Sequence, residues 1–408
     1  MNDRPVHLVV SDDLHRSRLT VFFRFFLTIP HLYWLSLWSF GVFFTAFAQW
    51  LVTIVRGRPT ERLNRFHLHY VRYATHVTAY IGLVANPWPG FLGEPGYPID
   101  VVIEPAERQR RLSAAFRLLL ALPATIYMFF LNGGGPGTSY LVAGGGIVLT
   151  VAFLGWFACL ARARMPRGMR NLSAYGIRYT AEVYLYVLLV TRTYPTSDPT
   201  LPPEAGRPPF RPVRLAVTDD RRRSRLTTFF RFFLTVPHFV WLLLWGVLAF
   251  CALIANWFVA LVRGRSAGPL HRFIAAYISY QTHVGAFLYL VANPFPGFTG
   301  KPGYPVDLHV DAPDRQGRWV TAFRLVLVLP ALLLNSALQW LLVAAGIGGW
   351  FAALVTGRMP EGLRNAGAHA LRYSAQLSAY GAVLTDRYPF SGPPTAPLPE
   401  PAVSDELT

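Results

Sequence analysis

Between His31 and Val55 the chain runs 25 residues without a formal charge, and Pro237 to Val262 and Leu325 to Val355 are charge-free in the same way. At about 1.5 Å per residue, a helix of that length exceeds a hydrocarbon core of ~30 Å. Composition points the same way. Hydrophobic residues make up 53% of the chain, charged residues 14% and the mean hydropathy is +0.32. A soluble domain carries about 25% charged residues. The expected fold class is an all-α polytopic membrane protein.

The net charge of +17 comes almost wholly from arginine, since Lys301 is the only lysine. A basic chain can bind nucleic acid, but these arginines flank apolar runs. That placement points to anchoring at membrane edges and to anionic lipid headgroups, not to nucleic acid. The first fifteen residues contain no long apolar segment, which predicts no cleaved signal peptide. Cys159 and Cys251 lie in apolar segments and match no paired metal spacing.

"RSRLTVFFRFFLTIPH" (Arg16 to His31) returns as "RSRLTTFFRFFLTVPH" (Arg223 to His238), an offset of 207 residues. "NPWPGFLGEPGYPID" (Asn86 to Asp100) returns as "NPFPGFTGKPGYPVD" (Asn293 to Asp307). Each half also repeats internally. An "FR…P" element carries Arg24, Arg117, Arg231 and Arg324, and a short basic turn carries Arg58, Arg164, Arg265 and Arg358. An aromatic pair follows at Arg72-Tyr73, Arg178-Tyr179 and Arg372-Tyr373, with Ser279-Tyr280 as the variant. The reading is two membrane halves, 1–194 and 213–389, each of two units: 1–89, 90–194, 213–296 and 297–389. A proline-rich linker, 195–212, joins them, and 390–408 reads as a disordered tail.

Each unit opens on alternating apolar residues, such as Val6, Leu8 and Val10 or Ile99, Val101 and Ile103, which predicts a short extramembrane strand. The acidic turn that follows, "SDD" at Ser11 or "TDD" at Thr218, suits the cap of the next helix. Next come an interfacial helix over about Ser17 to Ile29, a break at Pro30, a long apolar helix, a basic turn and a second helix. Two transmembrane helices per unit give about eight in all. Unit two inserts the loop "NGGGPGTS" (Asn132 to Ser139), which separates its first and long helices. The termini are expected to be cytoplasmic.

The unit resembles the family known as domain of unknown function 4389. The resemblance rests on Phe23 to His31, Phe230 to His238, "TGRMPEGL" (Thr356 to Leu363), "LRYSAQLSAY" (Leu371 to Tyr380) and "LTDRYP" (Leu384 to Pro389). Units one and three close on "NPWP" and "NPFP" instead of "DRYP", and unit two on "RTYP". The resemblance implies a bacterial, multi-pass cell-membrane protein and carries no activity across.

Four residues after each aromatic-pair position stands a polar side chain: His76, Glu182, His283 and Gln376. The i, i+4 spacing puts each beside Arg72, Arg178, Ser279 or Arg372 on one helical face. Within apolar stretches such groups face a bundle interior. They could hold helices together by hydrogen bonds, line a proton or ion path, or, from His76, Glu182 and His283, bind a metal. Interhelical hydrogen bonding is the expected role, and no metal site is assigned. Arg24, Arg117, Arg231 and Arg324 read as structural or as contacts to lipid headgroups, with Arg58, Arg164, Arg265 and Arg358 in the same class. The sequence holds no phosphate loop, HExxH or GxSxG, so neither catalytic residues nor a cofactor are assigned. The leading reading is a non-enzymatic membrane module, structural or partner-binding, as a single copy or a homo-oligomer. The alternative is a transporter or channel with a polar path along the second helices.

Overall fold

The computed structural model describes residues 6–103, 108–132, 146–201 and 211–395. Among them run β1 (Val6–Val10), α1 (Arg18–Arg56), α2 (Glu61–Ile81), β2 (Ile99–Ile103), α3 (Arg111–Ala115), α4 (Arg117–Asn132), α5 (Ile147–Arg162) and α6 (Arg167–Val187). The second half continues with β3 (Val213–Val217), α7 (Arg225–Arg263), α8 (Gly268–Leu288), β4 (Val306–Val310), α9 (Arg318–Ala322), α10 (Arg324–Thr356) and α11 (Glu361–Gly381). The chain is mostly helical. The four alternating stretches form the four strands, which pair antiparallel as β1–β2 and β3–β4. Leu8 stands opposite Val101, and Leu215 opposite Leu308.

The predicted break at the first proline does not occur. Pro30 lies inside α1, Pro123 inside α4, Pro237 inside α7 and Pro330 inside α10. Proline's fixed φ is itself helical, so its cost is one missing N–H and a bend, which a helix packed along only one line accommodates. Units two and four are interrupted instead at Phe116 and Phe323, between a one-turn helix and the long helix. In unit two α4 and α5 are separate helices, as the inserted loop predicts, and residues 133–145 between them lie outside the described residues.

The acidic turn does not cap the next helix, and Ser17 and Ser224 make no side-chain cap either. Asp12 accepts from the Leu14 N–H at 3.0 Å and pairs with Arg16 at 2.7 Å. Asp219 does the same with the Arg221 N–H and Arg223. The carboxylates serve a buried arginine, which gains more from a charged partner than a helix end does from its weak dipole. At the far end, α1, α7 and α10 stop on Gly57, Gly264 and Gly357 in the left-handed conformation that glycine adopts without strain.

The helices form tiers. Long helices touch in the order α1, α5 with α4, α10, α7. On them lie the second helices, α2 against α6 and α8 against α11, and on those lie the hairpins. The two halves meet where α10 packs on α4 and α5, with Phe130 stacked on Trp340 at 6.0 Å. One large apolar cluster, including Leu131, Val151, Leu338 and Leu341, runs through that seam.

The outer long helices are inverted relative to a soluble helix. The residues that α1 buries are Val21, Arg24, Thr28, His31, Val42, Gln49 and Thr53, a narrow and mostly polar line facing α2. Its phenylalanines, Phe22 to Phe47, are exposed. Helix α7 repeats this with Thr228, Arg231, Thr235, His238 and Asn256 on the buried line. Among the described residues, Tyr184 is the one large apolar side chain that a second helix exposes.

Helices α1, α7 and α10 are long and apolar enough to cross a membrane. The expected total of about eight is not confirmed. The second helices carry polar residues throughout, as in "ERLNRFHLHYVRY" of α2, and do not reach that standard among the described residues. The tail reading also changes. Residues 390–395 are ordered against α11, with the Phe390 N–H donating to Gln376 at 3.0 Å and Leu201 bridging to Thr395. Residues 202–210 of the linker and 396–408 of the tail lie outside the described residues.

Candidate functional site

The four "FR…P" arginines all sit deep inside the protein, at 1–3% exposure, and do not reach headgroups. The second helix runs antiparallel to the long one, so its C-terminal carbonyls end beside the start of its neighbour. Arg24 donates to the carbonyls of Tyr80 at 2.8 Å and Ala85 at 3.1 Å, with its guanidinium 4.2 Å over the Tyr80 ring. Arg231 donates to Phe287 at 2.7 Å and Ala292 at 2.9 Å, and Arg324 to Tyr380 and Thr385, both at 2.8 Å. A buried helix end needs donors for its last carbonyls, and a guanidinium supplies several at once. Arg117 covers the Tyr186 ring at 4.1 Å and donates to Gln109. Of the two expected roles, structural or headgroup contact, their bonds fit the structural one. The carbonyls belong to the second helix.

Arg16 and Arg223 were missed altogether. Arg16 donates to Leu83 at 2.9 Å and Val84 at 3.0 Å, and Arg223 to Leu290 at 2.7 Å and Val291 at 3.3 Å. Their signal was in the sequence: each follows an Asp by four residues inside the duplicated stretch.

The aromatic-pair arginines and the polar set hold the chain that passes over each second helix. In unit one, Arg72 donates to the Val101 carbonyl at 3.0 Å and lies 3.5 Å from Asp100, which is 3.4 Å from His76. Unit three repeats this between His283 and Asp307 at 3.4 Å. Asp307 in turn accepts the Gly303 and Leu308 N–H groups at 2.8 and 2.9 Å. Units two and four hold a different segment. Glu182 accepts the Thr196 N–H at 2.8 Å and lies 3.6 Å from Arg178, which donates to the Asp198 carbonyl. Gln376 accepts the Phe390 N–H and donates to the Val213 carbonyl at 3.0 Å, while Arg372 donates to the Gly392 carbonyl and to His369 at 3.0 Å. The four positions are therefore tied to four different segments, and the described residues hold no cluster of metal-ligand type. Burial lowers the proton affinity of His76 and His283, and the adjacent Asp100 and Asp307 act against that.

Arg58, Arg164, Arg265 and Arg358 are exposed at the ends of the long helices. Each of their turns meets the front turn of the other unit in its half. Arg164 bridges to His15, Arg358 to Arg222 and Arg265 to Arg315, and the Gln109 N–H donates to the Gly57 carbonyl at 3.0 Å. Units within a half are thus antiparallel, the front turn of one lying beside the back turn of the other.

The proline-rich loops cover the outer edge of the long-helix tier. Trp34 donates to the Phe91 carbonyl at 3.0 Å and Trp241 to that of Phe298 at 2.9 Å. His31 is enclosed by Tyr73, Trp88 and Phe91, and His238 by Tyr280, Phe295 and Phe298.

No curated protein and no solved structure matches the chain. One family model does, described as a domain of unknown function (DUF4389), over residues 18–92, 225–299 and 318–392. Those ranges lie largely in units one, three and four; each carries the "FR…P" element, and unit four also closes on "DRYP". With three tandem matches over more than half of its length, the chain belongs to the DUF4389 family.

Proposed function

We propose that the protein is an integral component of the bacterial cell membrane with a structural or partner-binding role and no catalytic activity of its own. It is built by duplication from four units, the second being the diverged one. The observation that carries this reading is the distribution of polarity: the outer long helices α1 and α7 turn phenylalanine and leucine outward and a mostly polar line inward. Fully burying such a side chain is worth about 1.5–3 kcal/mol, so an aqueous setting for this tier is heavily disfavoured. Lipid is its natural solvent, with the exposed arginines Arg58, Arg164, Arg265 and Arg358 placed for anionic headgroups.

The transport alternative asks that His76, Glu182, His283 and Gln376 string along one path. Their bonds go instead to β2, to the segment after α6, to β4 and to the tail. Pinning these segments supports the structural reading. The test is extraction of bacterial membranes carrying the full chain. Retention after high salt and alkaline carbonate, with release by detergent, is expected. Release by salt or carbonate alone would overturn the reading.

A further inference from the structure

We propose that the protein lies flat in a single leaflet, its long helices parallel to the membrane plane in the acyl region and its hairpins in water. This rests on the membrane reading above and specifies how the membrane is engaged.

Length is the first argument. Exposed large apolar side chains recur at every turn from Leu19 to Val55 on α1 and from Leu226 to Val262 on α7; across α9 and α10 they run from Trp319 to Leu332 and again from Ile347 to Val355, with the stretch between them buried in the protein. The α1 and α7 stretches are each about 54 Å of helix. A hydrocarbon core is ~30 Å thick, and ~45 Å with its headgroup layers. Fitting about 54 Å into ~30 Å needs a tilt of about 56°, outside the usual range of roughly 0–40°. Upright, α1 and α7 would each leave several phenylalanines outside the hydrocarbon core, among the headgroups.

The hairpins give an independent argument. Trp245, at the middle of α7, stacks on Tyr280 at 5.5 Å and meets Tyr277 at 5.8 Å on α8. On the same stretch of α8, His283 holds Asp307 of β4, and Ile274 and Ile278 pack with Val213 and Leu308. The β3–β4 ribbon therefore lies level with the centre of α7. If α7 stood upright, a two-stranded ribbon with two open edges would sit at the bilayer centre, and exposed Arg214 and His309 with it. Open strand edges are not tolerated in hydrocarbon. Laid flat, the same ribbon is two helix tiers above the lipid.

The arginines complete the fit. Exposed Arg358, beside the start of α7, and exposed Arg265, at its end, lie at opposite ends of one long helix. In the flat pose both reach the same layer of headgroups. In a crossing pose they reach opposite faces.

The test uses the full chain with Cys251→Ala, carrying either Arg265→Cys or Arg358→Cys. Spheroplasts and inside-out vesicles are treated with a membrane-impermeant maleimide, and labelling is read by mass shift. Both variants should label in the same preparation, with at least tenfold less labelling in the other. One variant labelling in spheroplasts and the other in inside-out vesicles would overturn the flat pose and leave the membrane reading intact. Recovery of the chain in the soluble fraction before labelling would instead overturn the membrane reading.

Discussion

The guanidinium of Arg231 and the carbonyl of Phe287 meet at 2.7 Å, deep in the protein, and the same arginine stands 4.4 Å from the centre of the Phe287 ring. One side chain thus closes the end of α8 and packs on its last aromatic.

Replacing that arginine should be costly. Arg231→Met keeps much of the stem but leaves the Ala292 carbonyl without its donor and the Phe287 carbonyl with the Leu290 N–H at 3.1 Å. A buried orphan costs about 1–3 kcal/mol, so a loss of that order is expected in detergent-solubilised protein. Arg231→Lys should recover little, because an ammonium lacks the planar fork. Thermal unfolding followed by tryptophan fluorescence measures both.

Gly300 should tolerate no side chain. Its φ is +62°, and an added Cβ would stand 2.3 Å from the Ala276 carbonyl oxygen. Gly300→Ala therefore adds backbone strain to a clash with a helix, on the order of 3 kcal/mol together. Gly303→Ala, at a φ of +103°, also strains the backbone but meets open space, so it lacks the clash and should cost less. A melting temperature for Gly300→Ala equal to that of the parent would refute the close packing of this loop on α8.

Acidification should destabilise the protein through its buried histidines. His76 faces Asp100, Arg72 and Tyr97, and His283 faces Asp307 and Tyr304. Burial holds both below the ordinary histidine range. Below a pH of about 6.5 the unfolded chain binds protons that the folded one refuses, so stability is full above that value and falls as pH drops through it. The melting temperature should decline more steeply between pH 7.5 and 5 for the parent than for His76→Gln/His283→Gln.

Glu182→Gln should change little. Gln376 holds the Phe390 N–H as Glu182 holds the Thr196 N–H, so an amide suits the position. The expected cost is below about 1 kcal/mol, since the accepting oxygen is kept. Proton flux into liposomes, read with a pH dye, should be the same for variant and parent. Parental flux that disappears in the variant would favour transport.

Much of this was readable in the residues. Alternation located all four strands, because two-residue periodicity is local. The repeats located the arginines. The orientation of His76 and its counterparts was not readable. An i, i+4 polar pair in an apolar stretch looks the same whether it faces a bundle centre or a strand arriving from outside. That choice depends on β1 finding β2 across some ninety residues of sequence. Pro30 misled for a related reason: its rule assumes a helix pressed from all sides, whereas α1 is packed along one line.

The exchange of turns between units sets an order of events during synthesis. The Arg16 N–H finds its acceptor on Ala163, and Met165 returns a bond to Leu14. At about 5–20 residues per second, the ribosome needs on the order of 7–30 s to supply the second partner after the first. For that interval α1 exists with its phenylalanines outward, only α2 laid along its polar line and its front turn without a partner. The nascent chain must therefore reach lipid before its fold can close, and a unit synthesised alone would wait there indefinitely for a partner that never emerges.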